Sequence, residues 1–343
     1  QNNMKYSDKK TPAQLQGVLF AVLLLSGISA LINQMVWMRK FGLVFGVDVY
    51  TMGTVLSAFM GGLALGSLIF GRLVDKVRNP LYLFLLLVLG ISLFAFLFPV
   101  TFDGLMHLYS PVIQNFGISA NKEQYIKFVF SFLYLLIPTT LMGGTLPVIY
   151  RFFIRELKSL GWKVSNLYAI NNLGAVIGCF LAGFLLIRYL GLTASLNLGA
   201  SLNLVNVLLI LWMSMRKDGI VGHTDLPQDK PIPIVTASRK ISAPLLRLVL
   251  WVFVIEGFAT LSYEVIWTRI FIGFSYDKTT YFFSVIVLSF IFGLSLGSFI
   301  ISKWIDKGKN LVNFLAITEI LIGLCSFTLM ILFARYSLAL NLK

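Results

Sequence analysis

Apolar residues run along this chain in blocks of twenty or more, each closed by a short polar or charged stretch. Nine such blocks are readable, at 15–37, 49–70, 81–100, 128–150, 167–189, 192–213, 245–267, 281–301 and 311–333. A helix that crosses the hydrocarbon core of a bilayer needs about 20 mostly apolar residues. The blocks are uninterrupted and rich in Leu, Ala and Gly, and they lack the strict alternation of barrel strands. The pattern therefore predicts nine membrane helices. The first block follows Lys9 and Lys10 and contains Ser-Gly-Ile-Ser-Ala at 26–30. Its length and its recurrence later in the chain read as a span rather than a cleaved signal. The stretch 101–121, with Phe102, Leu105, Met106, Leu108 and Tyr109, is expected as either a short interfacial helix or an ordinary loop.

Composition strengthens the membrane reading. Hydrophobic residues make up 58% of the chain and charged residues only 12%, against about a quarter charged in soluble domains. The lipid bilayer is the expected solvent for most of the surface. A net charge of +14 would suggest nucleic acid in a soluble protein. Here the basic residues sit in the loops, so topology explains them and no nucleic-acid partner is expected. With the N-terminus inside, the inner loops collect 19 of the 28 Lys and Arg residues and the outer side the other nine. That bias predicts a cytoplasmic N-terminus in a multi-pass protein of the cell (inner) membrane. The segment 216–244 carries Asp-Leu-Pro-Gln-Asp-Lys-Pro-Ile-Pro and reads as a cytoplasmic linker. Cys179 and Cys325 lie in apolar runs as small buried hydrophobes, and His107 and His223 stand alone, so no metal site and no cofactor is expected.

The chain repeats itself. Residues 27–40, GISALINQMVWMRK, align with 257–270, GFATLSYEVIWTRI, so that Gly27, Leu31, Trp37 and Arg39 fall on Gly257, Leu261, Trp267 and Arg269. Residues 59–76, FMGGLALGSLIFGRLVDK, align with 290–307, FIFGLSLGSFIISKWIDK. Helices seven to nine thus repeat helices one to three with the same orientation, which is a parallel six-helix repeat. The expected fold class is all-α integral membrane, with 1–215 as a first six-helix half and 245–343 as the first three helices of a second, incomplete half.

Gly71-Arg72-Leu-Val-Asp75-Lys76 resembles the Gly-x-Leu-x-Asp-Arg/Lys loop motif of the major facilitator superfamily, and Lys303-Trp-Ile-Asp306-Lys307 is its second copy. A narrower likeness rests on PTTLMGGTLPV at 138–148, LYAINNLGAVIGCFLAGF at 167–184, Leu190-Gly191-Leu192, GFATLSYEVIWTR at 257–269 and the duplicated Gly-Leu-x-Leu-Gly-Ser. These are similar to the membrane region of the fused major facilitator/spermidine synthase-like proteins. The resemblance covers essentially the whole chain from about residue 15. It implies a facilitator-like fold and, in relatives, a soluble aminopropyltransferase-like domain after the membrane part. No such domain is visible here. The Gly-Gly pairs, Gly61-Gly62 and Gly143-Gly144, lie in apolar spans. No glycine-rich loop follows a strand, and no nucleophile–base pair is apparent, so catalysis does not carry over.

Intramembrane polar groups are the remaining candidates. Glu256 and Glu264 in helix seven are eight residues apart and share a face. With Glu319 in helix nine, Asn33 and Gln34 in helix one, and Asn171 and Asn172 in helix five, they are candidates to line a substrate cavity that accepts a cation. The competing structural account pairs Glu264 with Arg269 and uses the amides to tie helices together. In the loops, Gly71, Arg72, Asp75, Lys76, Lys303, Asp306 and Lys307 are candidate gating groups, since an acid can sit on a neighbouring helix N-terminus; a plain loop charge pair is the alternative. Gly62/Gly66, Gly174/Gly178 and Gly293/Gly297 are small-residue packing positions, either static or at a rocking interface between halves. Trp37/Arg39 and Trp267/Arg269 read as interfacial anchors at outer helix ends. Two functions follow as expectations: a transporter of a small organic solute, cationic and polyamine-like, or a membrane anchor or subunit for a synthase-like domain or larger complex, with a partner chain completing the second half. The charge bias gives a direct test: a green fluorescent protein fused after Lys217 should fluoresce, and alkaline phosphatase fused there should be inactive.

Overall fold

The computed structural model describes residues 13–46, 49–115, 120–153, 160–215, 243–274, 280–306 and 311–341. These form α1 (Ala13–Phe45), α2 (Val49–Val74), α3 (Pro80–Asn115), α4 (Ala120–Phe153), α5 (Leu160–Phe180), a π-helical segment (Leu181–Leu186), α6 (Ile187–Met215), α7 (Ala243–Phe274), α8 (Thr280–Ser302) and α9 (Leu311–Asn341). No strand occurs among the described residues. Most of the linker, at 216–242, together with Lys307 and His223, lies outside them.

Eight helical stretches among the described residues are long and apolar enough to cross a membrane. The nine blocks of the sequence all fall on helices, but two of them share one stretch. Gly161–Met215 is 55 residues of continuous apolar helix. At 1.5 Å per residue it would be about 80 Å long, far beyond a hydrocarbon core of about 30 Å. It breaks at Gly191, where φ is 78° and ψ is 177°, a backbone conformation that costs a Cβ-bearing residue dearly and glycine little. The stretch 101–121 is neither a separate interfacial helix nor a loop over its first part, because α3 runs on through it to Asn115.

Two buried clusters mark the two ends of the bundle. One collects Leu19 and Val22 of α1, Val74 of α2, Phe84 of α3, Val148 of α4, Leu167 of α5 and Ile210 of α6. The other collects Phe41 of α1, Val55 of α2, Phe98 of α3, Leu135 of α4, Cys179 of α5 and Leu196 of α6. Each helix therefore enters where its predecessor leaves, and the six alternate in direction. The chain turns back at the Gly191 break. Phe283 and Val287 of α8 join the second cluster, so the core continues across the boundary between the first six helices and the last three.

Within this bundle the closest neighbours are parallel pairs, α1 with α5 and α2 with α4. Lipid tails are as apolar as Leu, so association depends on close packing through small residues. A Cβ on Gly174 or Gly178 would overlap the carbonyl oxygens of Leu24 and Ile28 on α1. A Cβ on Gly66 would overlap the carbonyl of Thr140 and come within 2.9 Å of the Gly143 Cα on α4. A Cβ on Gly62 would overlap the Thr139 side chain. These four glycines close pairs inside the first six helices, and Gly293 and Gly297 face open space. Helix α4 tolerates Pro138 and Pro147 in its interior. A proline removes the hydrogen bond to the carbonyl four residues back. For Pro147 that carbonyl belongs to Gly143, and Ser67 of α2 donates its hydroxyl to it at 3.0 Å. The break in one helix is thus used to hold its partner.

The last three helices are sparsely covered. No residue in 312–335 of α9 is buried, and α7 buries few. Trp267 of α7 meets the Phe333 ring edge-on at 5.5 Å, as Trp37 of α1 meets Phe94 of α3 edge-on at 6.0 Å. Trp37 is fully buried and also stacks on Phe98 at 5.9 Å, so it is a core residue and not an interfacial anchor. Cys179 is buried as expected, but Cys325 is exposed on α9. Gly66→Val should lower stability by on the order of 1–3 kcal/mol through overpacking, whereas Gly293→Ala should stay within about 0.5 kcal/mol. Thermal unfolding of the purified protein in mild detergent checks both.

Candidate functional site

The seam between α5 and α8 joins the first six helices to the last three. The helices run antiparallel, and three polar contacts tie them from end to end. At one end the Cys179 thiol donates to the Ser284 carbonyl at 3.5 Å, beside Gly183, where a Cβ would overlap the Ser284 side chain. In the middle Ser295 donates its hydroxyl to the Ala169 carbonyl at 3.0 Å. At the other end the Asp306 carboxylate accepts the backbone N–H groups of Gly161 at 3.1 Å and Trp162 at 3.0 Å. Gly161 and Trp162 lie in the first turn of α5. Their N–H groups have no partner within the helix, and the dipole there favours an anion.

The first copy of the loop motif behaves differently. Asp75 pairs with Arg151 at the end of α4, Oδ1 to Nε at 3.3 Å, and its side chain stays 66% exposed. Gly71 lies near Pro147 of α4 at ordinary contact distance. Arg72, Lys76 and Lys303 are exposed. The two motif acids therefore do separate work: Asp75 ties α2 to α4 inside the first six helices, and Asp306 ties α8 to α5 across the seam. All of these groups lie at the end of the bundle that carries Arg72, Lys76 and Arg78.

The intramembrane candidates lie on four helices, α1, α5, α7 and α9. Glu256 of α7 and Glu319 of α9 are both half-buried. Glu264 is only 7% exposed, and its Oε2 has no hydrogen-bond partner. The nearby Thr268 hydroxyl donates to the Glu264 backbone carbonyl at 2.7 Å instead of its carboxylate. Asn33 is fully buried against Gly199 of α6, and Gln34 is buried on the same helix. Asn171 is half-buried, with its carbonyl against Gly27 of α1. Asn172 is buried, with its amide nitrogen unpartnered. No group of three or more His, Cys, Asp or Glu able to hold a metal occurs among the described residues.

Sequence reasoning missed several polar residues that the structure makes prominent. Ser284 and Ser295 carry the α5–α8 seam, and Asn203 and Asn206 are buried in α6. The asparagines carried a usable signal, since an amide in an apolar block is costly wherever it lies. The serines carried none, because a small hydroxyl in a membrane helix is ordinary. The π-helical segment at Leu181–Leu186 was equally unforeseen; the Ile187 N–H donates to the Ala182 carbonyl five residues back. Compared with family models, with curated proteins and with solved structures, the chain matches none of them.

Asp306→Ala removes the acceptor from the α5 N-terminus. The exchange of the Gly161 and Trp162 amides should then accelerate roughly fivefold, the equivalent of about 1 kcal/mol for a helix-end charge. Arg72→Ala should leave it unchanged. Hydrogen–deuterium exchange of the peptide covering the start of α5 makes the measurement.

Proposed function

We propose that this chain is a facilitator-type transporter module that moves a small organic cation of polyamine type across the cell (inner) membrane by alternating access. One observation carries the proposal: Asp306 of the last three helices holds the N-terminal turn of α5 in the first six. A carrier that opens to one side at a time needs a contact between its moving parts that is strong when made and confined to one end. A carboxylate on two free helix N–H groups meets that need, because sliding by a few ångströms loses both bonds together. The resemblance of both loop motifs to the major facilitator superfamily supports the same reading. The cationic solute is favoured by Glu264, a buried carboxyl in a membrane helix with one oxygen unpartnered. Such a group is expensive and needs a proton or a cation, and Glu256 and Glu319 add acidic groups at a second place. The amides Asn33, Gln34, Asn171 and Asn172 would contribute neutral hydrogen bonds. The N-terminus is placed in the cytoplasm on the charge bias.

A second reading is favoured by the face of α2. By the repeat, Ala64 and Asp75 correspond to Ser295 and Asp306, which tie α8 to α5, and Leu68 and Gly71 correspond to Phe299 and Ser302 on the same helix face. Ala64, Leu68 and Asp75 are exposed. This face would suit a helix of a partner chain, as in a membrane subunit or anchor serving a spermidine synthase-like domain or a larger complex. Native mass spectrometry from mild detergent separates the two readings: a lone monomer removes the subunit reading.

Proteoliposomes containing the full chain should take up labelled spermidine above empty vesicles. Glu264→Gln should reduce the uptake at least tenfold, the effect of removing about 1.4 kcal/mol or more of charge-assisted binding. Absence of uptake and of binding by the unaltered protein would overturn the transporter reading.

A further inference from the structure

Helix α5 is held by two faces at once. On one side Leu24, Gly27 and Ile28 of α1 take its backbone. A Cβ on Gly174 or Gly178 would overlap the carbonyl oxygens of Leu24 and Ile28, and a Cβ on Gly27 would overlap that of Asn171. On the other side α8 meets it with the Ser284 carbonyl, the Ser295 hydroxyl and the Asp306 carboxylate. Successive members of that set are eleven residues apart, about three turns of helix, so they share one stripe.

Both faces are written in the chain a second time. The alignment of 27–40 with 257–270, carried back three residues, sets Val254, Gly257 and Phe258 of α7 on Leu24, Gly27 and Ile28. The alignment of 59–76 with 290–307, carried back six residues, sets Gly53, Ala64 and Asp75 of α2 on Ser284, Ser295 and Asp306. These second copies are uncovered. Val254 is 61% exposed and Phe258 75%, and a Cβ on Gly257 or Gly53 would meet nothing within 4 Å. Ala64 is exposed. Asp75 gives Oδ1 to Arg151 and still keeps most of its side chain open, which leaves Oδ2 to accept from backbone N–H groups.

Parallel repeats in a membrane are related by an axis along its normal. Such an axis carries α1 onto α7 and α8 onto α2, so a helix that meets both uncovered faces stands to them as α5 stands to α1 and α8. Lipid does not complete these faces, because an acyl chain has no N–H for Asp75 and no backbone to lie against a glycine. A second copy of this chain has no α5 to offer, since its own is already held.

We infer that α7 and α2 together form a docking site for one membrane-spanning helix of a partner chain, of the same type as α5. Its small residues, four apart, lie on Val254, Gly257 and Phe258, and the N–H groups of its first turn are taken by Asp75. The inference rests on the subunit reading for the existence of a partner and adds the partner's second contact face and its chemistry.

A synthetic peptide of residues 157–186, which contains α5 and its N-terminal turn, is the probe. The full chain carries p-benzoylphenylalanine at Leu68 of α2, at Val254 of α7 or, as a control, at Leu86 of α3, all three exposed, and is placed with the peptide in lipid nanodiscs. Irradiation should attach the peptide at Leu68 and at Val254 roughly tenfold or more above Leu86. Gly174→Leu/Gly178→Leu in the peptide should cut both yields roughly tenfold. Gly257→Leu in the chain should cut the yield at Leu68 as well as at Val254, because one helix meets both, and Asp75→Asn should cut it about threefold. Equal yields at all three positions, yields that ignore the glycines of the peptide, or a Leu68 yield unmoved by Gly257→Leu would each overturn the inference. The peptide variant leaves the chain untouched, so it decides even where a chain variant does not fold. A lone monomer by native mass spectrometry that still captures the peptide in this pattern ends the subunit reading and upholds the site. A stable complex whose chain ignores the peptide keeps a partner and overturns the site.

Discussion

Backbone-to-backbone approach at glycine holds the bundle together. In water, helices would be driven together by burying apolar faces. In a bilayer that force vanishes, and what remains is dispersion between surfaces that fit closely. Gly174 and Gly178 bring α5 against the carbonyls of α1, and Gly62, Gly66 and Gly143 bring α2 against α4. The two apolar clusters at the ends of the bundle and the hydroxyl of Ser67 on the carbonyl freed by Pro147 form around these two contacts. Larger residues at the glycines would separate the helices and open both clusters at once.

Helix α5 works on two sides. Its small-residue face is locked to α1, and its other face carries the seam to α8 through Cys179, Ala169 and the N-terminal turn held by Asp306. The first face has backbone contacts that tolerate no displacement. The second rests on three side-chain contacts, each lost by a small slide. A part that moves against another is best built with this contrast, rigid within and lightly tied between. The π-helical segment then lies where α5 leaves the seam, and the Gly191 break follows it, so the stiff part of the helix ends at the edge of the contact.

Much of this architecture was legible in the sequence, because length and hydropathy determine what can cross a bilayer. All nine apolar blocks fall on helices, and the boundary at Leu190-Gly191-Leu192 coincides with the break. Asp306 was readable as a helix-end acid because its chemistry is local and its partner generic. Asp75, with the same local sequence, was not separable from it: the difference lies in Arg151, which is distant in the chain. The glycine pairs were visible as spacing, but whether a glycine meets α1, α4 or open space depends on which neighbour the bundle supplies. Trp37 was misread because Trp at a helix end is usually amphipathic, and only the Phe94 and Phe98 rings of α3 reveal it as core. Whether the seven polar candidates share one cavity was not legible, since a helical wheel gives the face of a residue and says nothing of which helix lies opposite.

The pairing of α1 with α5 also sets a timetable for biogenesis. Leu24 and Gly174 touch in the finished protein but are 150 residues apart in the chain. At the usual rate of synthesis, about 5–20 residues per second, α1 enters the membrane roughly 10–30 s before its partner exists. During that interval Asn33 and Gln34 have neither α5 nor α6 to lie against. Until those helices follow, the polar face of α1 has no helix of this bundle to cover it.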